Sequence, residues 1–192
     1  MNDSTAADWL ENFTYDELRI GQSARLLRTL TLADIQAFAA VSGDTNPAHL
    51  DPEYANATLF HGVIAHGMWG AALISALLGT QFPGPGTIYV SQALDFSRPV
   101  RVGDTLVVQA TVVAKDDGKK SVDLACEVTN QKGVRVLGGT ARVLAPTQKL
   151  RLPKPDLPQI QLFDPEARFK ALLKLAHGIG PARCAVVHPC DL

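Results

Sequence analysis

One stretch of this chain restricts its fold more than any other. Val63 to Leu78 is apolar nearly all the way round, broken only by His66, two glycines and Ser75. A helix that is apolar on most faces has to be buried on most faces. Directly after it the pattern changes to period two. Ile88, Val90, Leu94 and Phe96 alternate with Tyr89, Ser91, Asp95 and Ser97. Leu106, Val108, Ala110 and Val112 alternate with Thr105, Gln109 and Thr111, and Val122, Leu124, Cys126 and Val128 with Ser121, Asp123, Glu127 and Thr129. Val134 to Leu144 makes a fourth run, and Asp116-Asp117-Gly118 and Asn130 to Gly133 supply the turns. Hairpin-linked strands after a helix that needs cover predict an α+β fold, with a curved antiparallel sheet wrapped round the helix.

Upstream, Gln22 to Leu30 reads as a strand. Thr31-Leu32-Ala33-Asp34 resembles a capping box with Asp in place of Glu, and predicts a helix running to about Ser42. Glu53 to Thr58 reads as a short helix. The apolar helix opens over Gly62 to Gly67 and closes near Gly79. Residues before 20 read as a lead-in, with helical turns around Trp9-Leu10 and Tyr15 to Leu18.

The first two helices and the apolar one bracket Val41-Ser42-Gly43-Asp44-Thr45-Asn46-Pro47-Ala48-His49. Asp44 and His49 stand five residues apart across a turn. Gly43 and Asn46 both tolerate left-handed backbone and Pro47 fixes its own φ, so the bend is stiff enough to aim both side chains into one cavity. Two proton-transfer groups held in one cavity are what addition or removal of water requires.

Composition narrows the partners. The formal net charge is −1, and there is no basic stripe or charged run to attract nucleic acid or a membrane surface. The longest apolar run is interrupted and too short to span a bilayer comfortably. Met1 to Asp8 is polar and acidic, unlike a signal peptide. Cys126, Cys184 and Cys190 are odd in number and form no C-x-x-C pair, which points to a reducing cytoplasm. Cys126 lies in an alternating apolar pattern and reads as a small core residue.

Beyond residue 145, Pro146, Pro153, Pro155 and Pro158 read as a stiff extended linker over 146–162. Asp164 to Ala176 then has the cap, first-turn Pro and apolar spacing of a helix, stopped by Gly178 and Gly180. Cys184 to Val187 is a short apolar strand. Residues 163–192 read as the opening of a second domain, incomplete in this chain.

Ser42-Gly43-Asp44-Thr45-Asn46-Pro47 with His49, and then Ile64-Ala65-His66-Gly67-Met68, resemble the MaoC-like (R)-specific enoyl-CoA hydratases. The resemblance spans about residues 20–145, with 1–19 as lead-in. It implies a hot-dog fold, a homodimer or larger assembly, and reversible syn hydration of a trans-2-enoyl-CoA to an (R)-3-hydroxyacyl-CoA without a cofactor. It also implies roles. Asp44 matches the base that orients and deprotonates water, and His49 the group that shares that water and passes a proton to C2. A second resemblance rests on Arg183-Cys184-Ala185-Val186-Val187-His188-Pro189-Cys190-Asp191 after the Pro-rich stretch. It is similar to the junction of bifunctional enoyl-CoA hydratase/phosphate acetyltransferase proteins, and from it we expect short acyl chains.

Hydration builds negative charge on the thioester oxygen. The backbone N–H of Gly67, at the start of the central helix, is the expected oxyanion donor, since N–H groups there are unpaired and the helix dipole favours an anion. Asn46 either bonds the catalytic water or holds the turn. Ser75, two turns along from Gly67, is expected to face the pocket, and His66 to pack or bond to backbone. His49, His61 and His66 fit no usual zinc spacing, so no metal is expected. Coenzyme A binding is poorly encoded; Arg98, Arg101, Lys115, Lys119 and Lys120 are the cations available. A hot-dog thioesterase would want a carboxylate on the central helix, and Val63 to Leu78 has none. A non-catalytic acyl-CoA-binding or assembly module would have no need of the Asp44/His49 pair.

Overall fold

The computed structural model describes residues 9–158. The helix expected over Asp164 to Ala176 and the strand expected over Cys184 to Val187 lie outside the described residues, as does the end of the 146–162 segment. In chain order the elements are β1 (Trp9–Glu11), β2 (Ser23–Thr29), α1 (Leu32–Ser42), α2 (Pro47–Leu50), α3 (Pro52–Ala57), α4 (Gly67–Thr80), β3 (Ile88–Phe96), β4 (Thr105–Asp116), β5 (Ser121–Thr129), β6 (Arg135–Leu144) and β7 (Arg151–Pro153).

Five strands form one antiparallel sheet in the order β2-β4-β5-β6-β3. The period-two runs set its register. Leu106, Val108, Ala110 and Val112 on β4, and Val122, Leu124, Cys126 and Val128 on β5, all turn to the buried face. Against that face lies α4, whose Ile74, Leu77 and Leu78 have no exposed surface. This is the sheet-round-helix arrangement that the sequence implies. Burying a side chain of that size is worth about 1.5–3 kcal/mol, so this seam dominates the fold's stability.

Two features of α4 differ from expectation. The helix begins at Gly67, not Gly62, because the residues between are extended: Ile64 N–H donates to the Ala48 carbonyl and Ala65 N–H to the Val100 carbonyl. Their amides serve neighbouring segments and cannot join a helix. Nor is α4 buried all round. One sheet covers one side only, and Met68, Ala72, Ser75 and Gly79 form an exposed stripe along the other.

The chain around Trp9-Leu10 is also a strand rather than a helical turn. β1 pairs antiparallel with β7, Leu10 opposite Leu152. Between them Asn12, 1% exposed, donates from Nδ2 to the carbonyls of Pro85 and Gln148 and accepts from the Leu150 N–H at Oδ1. The first part of the Pro-rich stretch is thus extended and bonded to the N-terminal segment.

Candidate active site

The Asp44 turn is built by local hydrogen bonds. Helix α1 ends at Gly43, which takes the left-handed conformation (φ 75°) and donates its N–H to the Ala39 carbonyl. Asn46 does not use its left-handed tolerance; its φ is −53°. Ser42 Oγ donates to the Phe38 carbonyl and accepts the Asp44 N–H at 3.2 Å. Asp44 Oδ1 accepts the Asn46 N–H at 3.2 Å. Asn46 Oδ1 in turn caps α2, accepting the Ala48 N–H at 3.0 Å, with Pro47 in the first helical position. Of the two roles open to Asn46, its side-chain oxygen is occupied in holding the turn.

That single turn of helix places His49. Its Nδ1 lies 2.9 Å from the Ile64 carbonyl oxygen. A carbonyl only accepts, so Nδ1 carries a proton and Nε2 is the nitrogen free for proton exchange. His66 occupies the N-cap position of α4 and is 2% exposed. Its Nε2 donates to the Asp44 carbonyl at 3.0 Å, by the same reasoning. The His49 and His66 rings lie 3.9 Å apart, centre to centre. The Phe38 ring also packs on His66, 5.0 Å between ring centres.

A cavity of about 340 Å³ opens beside these rings. His49, His66, Gly67, Phe60, Phe96 and Arg98 are among the residues that line it. Asp44 is exposed, and one side-chain oxygen or nitrogen from each of Asp44, His49 and His66 lies within 4.8 Å of the others. Gly67 contributes a backbone N–H at the first position of α4, where the helix supplies no acceptor and His66 provides no side-chain cap. An imidazole with one free nitrogen and a helix-tip amide therefore share one apolar-walled space, and the exposed Asp44 carboxylate stands close to the histidine pair. Such a set can hold a water, move its proton and stabilise an oxyanion.

A model of the MaoC like domain matches residues 18–133. The chain belongs to the MaoC-like family. It is 45% identical over 143 residues to the (R)-specific enoyl-CoA hydratase of Rhodospirillum rubrum, covering 74% of this chain and 99% of that protein. It is 39% identical over 135 residues to the 3-hydroxybutyryl-CoA dehydratase of Methylorubrum extorquens, covering 70% of this chain and 85% of the other. Among solved structures it is similar to the unliganded R-hydratase PhaJ1 of Pseudomonas aeruginosa, with a TM-score of 0.78 and 46% identity, over 81% of this chain and 99% of that one. The fold of this MaoC-like chain is the hot-dog fold.

Its remaining sequence-predicted residues divide. Ser75 does not face the cavity. Eight residues along α4 put it about 12 Å from Gly67, at 1.5 Å per residue, and it lies on the exposed stripe. Of the five cations, Arg98 alone stands in the cavity wall among the described residues. Arg101 donates to the Phe60 carbonyl, Lys115 to the carbonyls of Tyr15 and Leu18, and the Lys120 ammonium sits over the Tyr15 ring. His61 does not join the two other histidines; Asp44 does, and among the described residues Asp44, His49 and His66 form a cluster close enough for all three to reach one metal ion. Sequence reading missed Phe60 and Phe96 as cavity residues. Phe96 closes a period-two run, and its alternation carries no mark of a wall beside Gly67. Cys126 is buried as expected, with its thiol pushed up to about 11 by burial.

Proposed function

We propose that this chain catalyses reversible syn hydration of short trans-2-enoyl-CoA thioesters to (R)-3-hydroxyacyl-CoA. One observation carries the reading: His49 and Gly67 line one cavity at the tip of α4, and side-chain polar atoms of Asp44, His49 and His66 lie within 4.8 Å of one another. In the hydration direction, Asp44 orients a water over C3 and takes its proton. That proton passes to the free Nε2 of His49, which delivers it to C2 on the same face. The Gly67 N–H, with the α4 dipole behind it, stabilises the enolate oxygen between the two steps. Delivery to C2 leaves the carboxylate and the neutral ring as they began, ready for the next turnover.

A volume near the lower end of the usual range for ligand pockets supports a short acyl chain. The thioester already activates C3, so the proposal includes no cofactor and no metal; activity should survive exhaustive chelation. Arg98 at the cavity wall is the cation we assign to the coenzyme phosphates. A homodimer is part of the reading. β3 is a sheet edge with Ile88, Val90 and Phe96 exposed, and the uncovered stripe of α4 needs a partner surface. We place the protein in the cytoplasm, and assign residues 163–192 to a phosphate acetyltransferase part of the same polypeptide.

The test is the ultraviolet absorbance of crotonyl-CoA on adding the protein, with free thiol followed in parallel. Absorbance loss without thiol release supports hydration. Thiol release would make the protein a thioesterase, and neither signal would leave a binding module.

A further inference from the structure

Resting on the hydratase reading, we propose that His66 is a positioning residue which locks the two reacting side chains to the amide that follows it. His66 touches all three parts of the machinery. Its Nε2–H donates to the Asp44 carbonyl at 3.0 Å, which fixes the backbone that carries the carboxylate. Its ring lies 3.9 Å from that of His49, tilted by 33°, and limits how far His49 can swing. Its own carbonyl is bonded to the next residue, Gly67, and accepts the Trp69 N–H at 3.0 Å, so any movement of His66 moves the oxyanion donor.

The ring is enclosed by its surroundings. His66 is 2% exposed, with the Phe38 ring 5.0 Å away as well as that of His49. Its Nδ1 is buried with no hydrogen-bond partner. Leaving a buried polar atom unsatisfied costs stability, and a phenylalanine would fill the same space without that cost. An imidazole here is therefore poor packing unless its other nitrogen does something that no apolar ring can. The Asp44 bond is that something: it spans 22 residues of sequence and ties the end of α1 to the tip of α4. Reacting groups must be held within fractions of an ångström, and a misplacement of 1 Å can cost about 100-fold.

Two variants of the full chain separate positioning from packing. His66→Phe keeps the ring face and loses the donor. His66→Gln loses the ring face and keeps an N–H near the position of Nε2. In crotonyl-CoA hydration we expect His66→Phe to lower kcat by about 10- to 100-fold, with KM changed by less than about threefold. We expect His66→Gln, which keeps the Asp44 bond but loses the ring against His49, to lower kcat by about threefold to tenfold, clearly less than His66→Phe. Affinity for butyryl-CoA, which cannot react, stays unchanged in both. The imidazole nitrogen NMR spectrum of the unsubstituted protein should show His66 as the Nε2–H tautomer.

A His66→Phe variant that keeps kcat within twofold overturns the proposal. So does a folded His66→Gln that loses as much as His66→Phe, or a spectrum showing the Nδ1–H tautomer. If His66→Phe fails to fold, the Gln variant and the spectrum decide. If the unsubstituted protein hydrates nothing, the hydratase reading fails, and the tautomer alone decides whether His66 holds Asp44.

Discussion

His49 Nδ1 and the Ile64 carbonyl oxygen are 2.9 Å apart, joining the short α2 to the extended segment that leads into α4. The bond fixes both the ring's orientation and its tautomer. Without it the imidazole could turn its free nitrogen away from the cavity. Backbone returns the connection, since Ile64 N–H donates to the Ala48 carbonyl at 3.4 Å.

The first prediction follows from that placement. Asp44→Asn and His49→Ala should each lower crotonyl-CoA hydration by about 10²–10⁴-fold, the usual worth of a positioned proton-transfer group. Asp44 is exposed and His49 half-buried, so melting temperatures should change by only a few degrees. The double variant should be little worse than either alone, because both act on one water. Near-normal turnover in either single variant would remove the assigned roles.

Gly67 supports a second. A methyl group there would lie 3.1 Å from the Phe96 ring, tighter than ordinary contact. Relieving that contact shifts the amide or the ring at the cavity wall, and a small misplacement there is costly, so Gly67→Ala should lower kcat/KM by about tenfold or more. Shrinking the neighbour should give part of that back, and Gly67→Ala with Phe96→Leu is the measurement. No recovery in the double variant would mean that the ring is not what limits the space.

The capping box at Thr31, the α1 boundary and the alternating strands were legible because each is encoded within a few residues. Asp44 and His49 were legible for the same reason: one bend carries both. What ties them to α4 was not. His66 to Asp44 spans 22 residues and His49 to Ile64 spans 15, and neither pair leaves a periodic mark. The β1–β7 pair is harder still, since three residues are too few for an alternation to show. The exposed side of α4 misled through its composition, as small apolar residues read as buried whether or not the same chain covers them.

Asn12 yields a third prediction. Replacing it by Ala leaves the Pro85 and Gln148 carbonyls and the Leu150 N–H without their partner. These bonds are partly buried, and an orphaned group costs about 1–3 kcal/mol when buried, so the urea midpoint should fall by the equivalent of about 2 kcal/mol. Compared with a chain cut after Pro158, one cut after Ala145 should lose a similar amount. Equal stability of the two truncations would show that the β1–β7 strap contributes nothing.

Burial raises the Cys126 thiol to about 11. At pH 8 about one molecule in a thousand then carries the reactive thiolate. Alkylation of native protein, mapped by peptide mass, should leave Cys126 unmodified over hours and label it at once in denaturant. Rapid native labelling would place the thiol outside the core.

The last prediction concerns pH. Burial of Asp34 would by itself raise its carboxyl, but bonds from the Thr31 hydroxyl and N–H, at 2.7 and 2.8 Å, and from Arg28 outweigh burial and hold it below the usual carboxylate range. A carboxyl lowered on folding adds stability that is present above its unfolded value, near pH 4, and is lost as pH falls through the lower native one. Asp34→Asn keeps the shape but cannot ionise. The parent should therefore be more stable at pH 7 by about 1 kcal/mol, the typical worth of a helix cap, and the gap should narrow steadily below about pH 4. Urea midpoints at pH 7 and at low pH read both quantities. A gap that stays constant across that range would mean that the Asp34 charge contributes nothing to the start of α1.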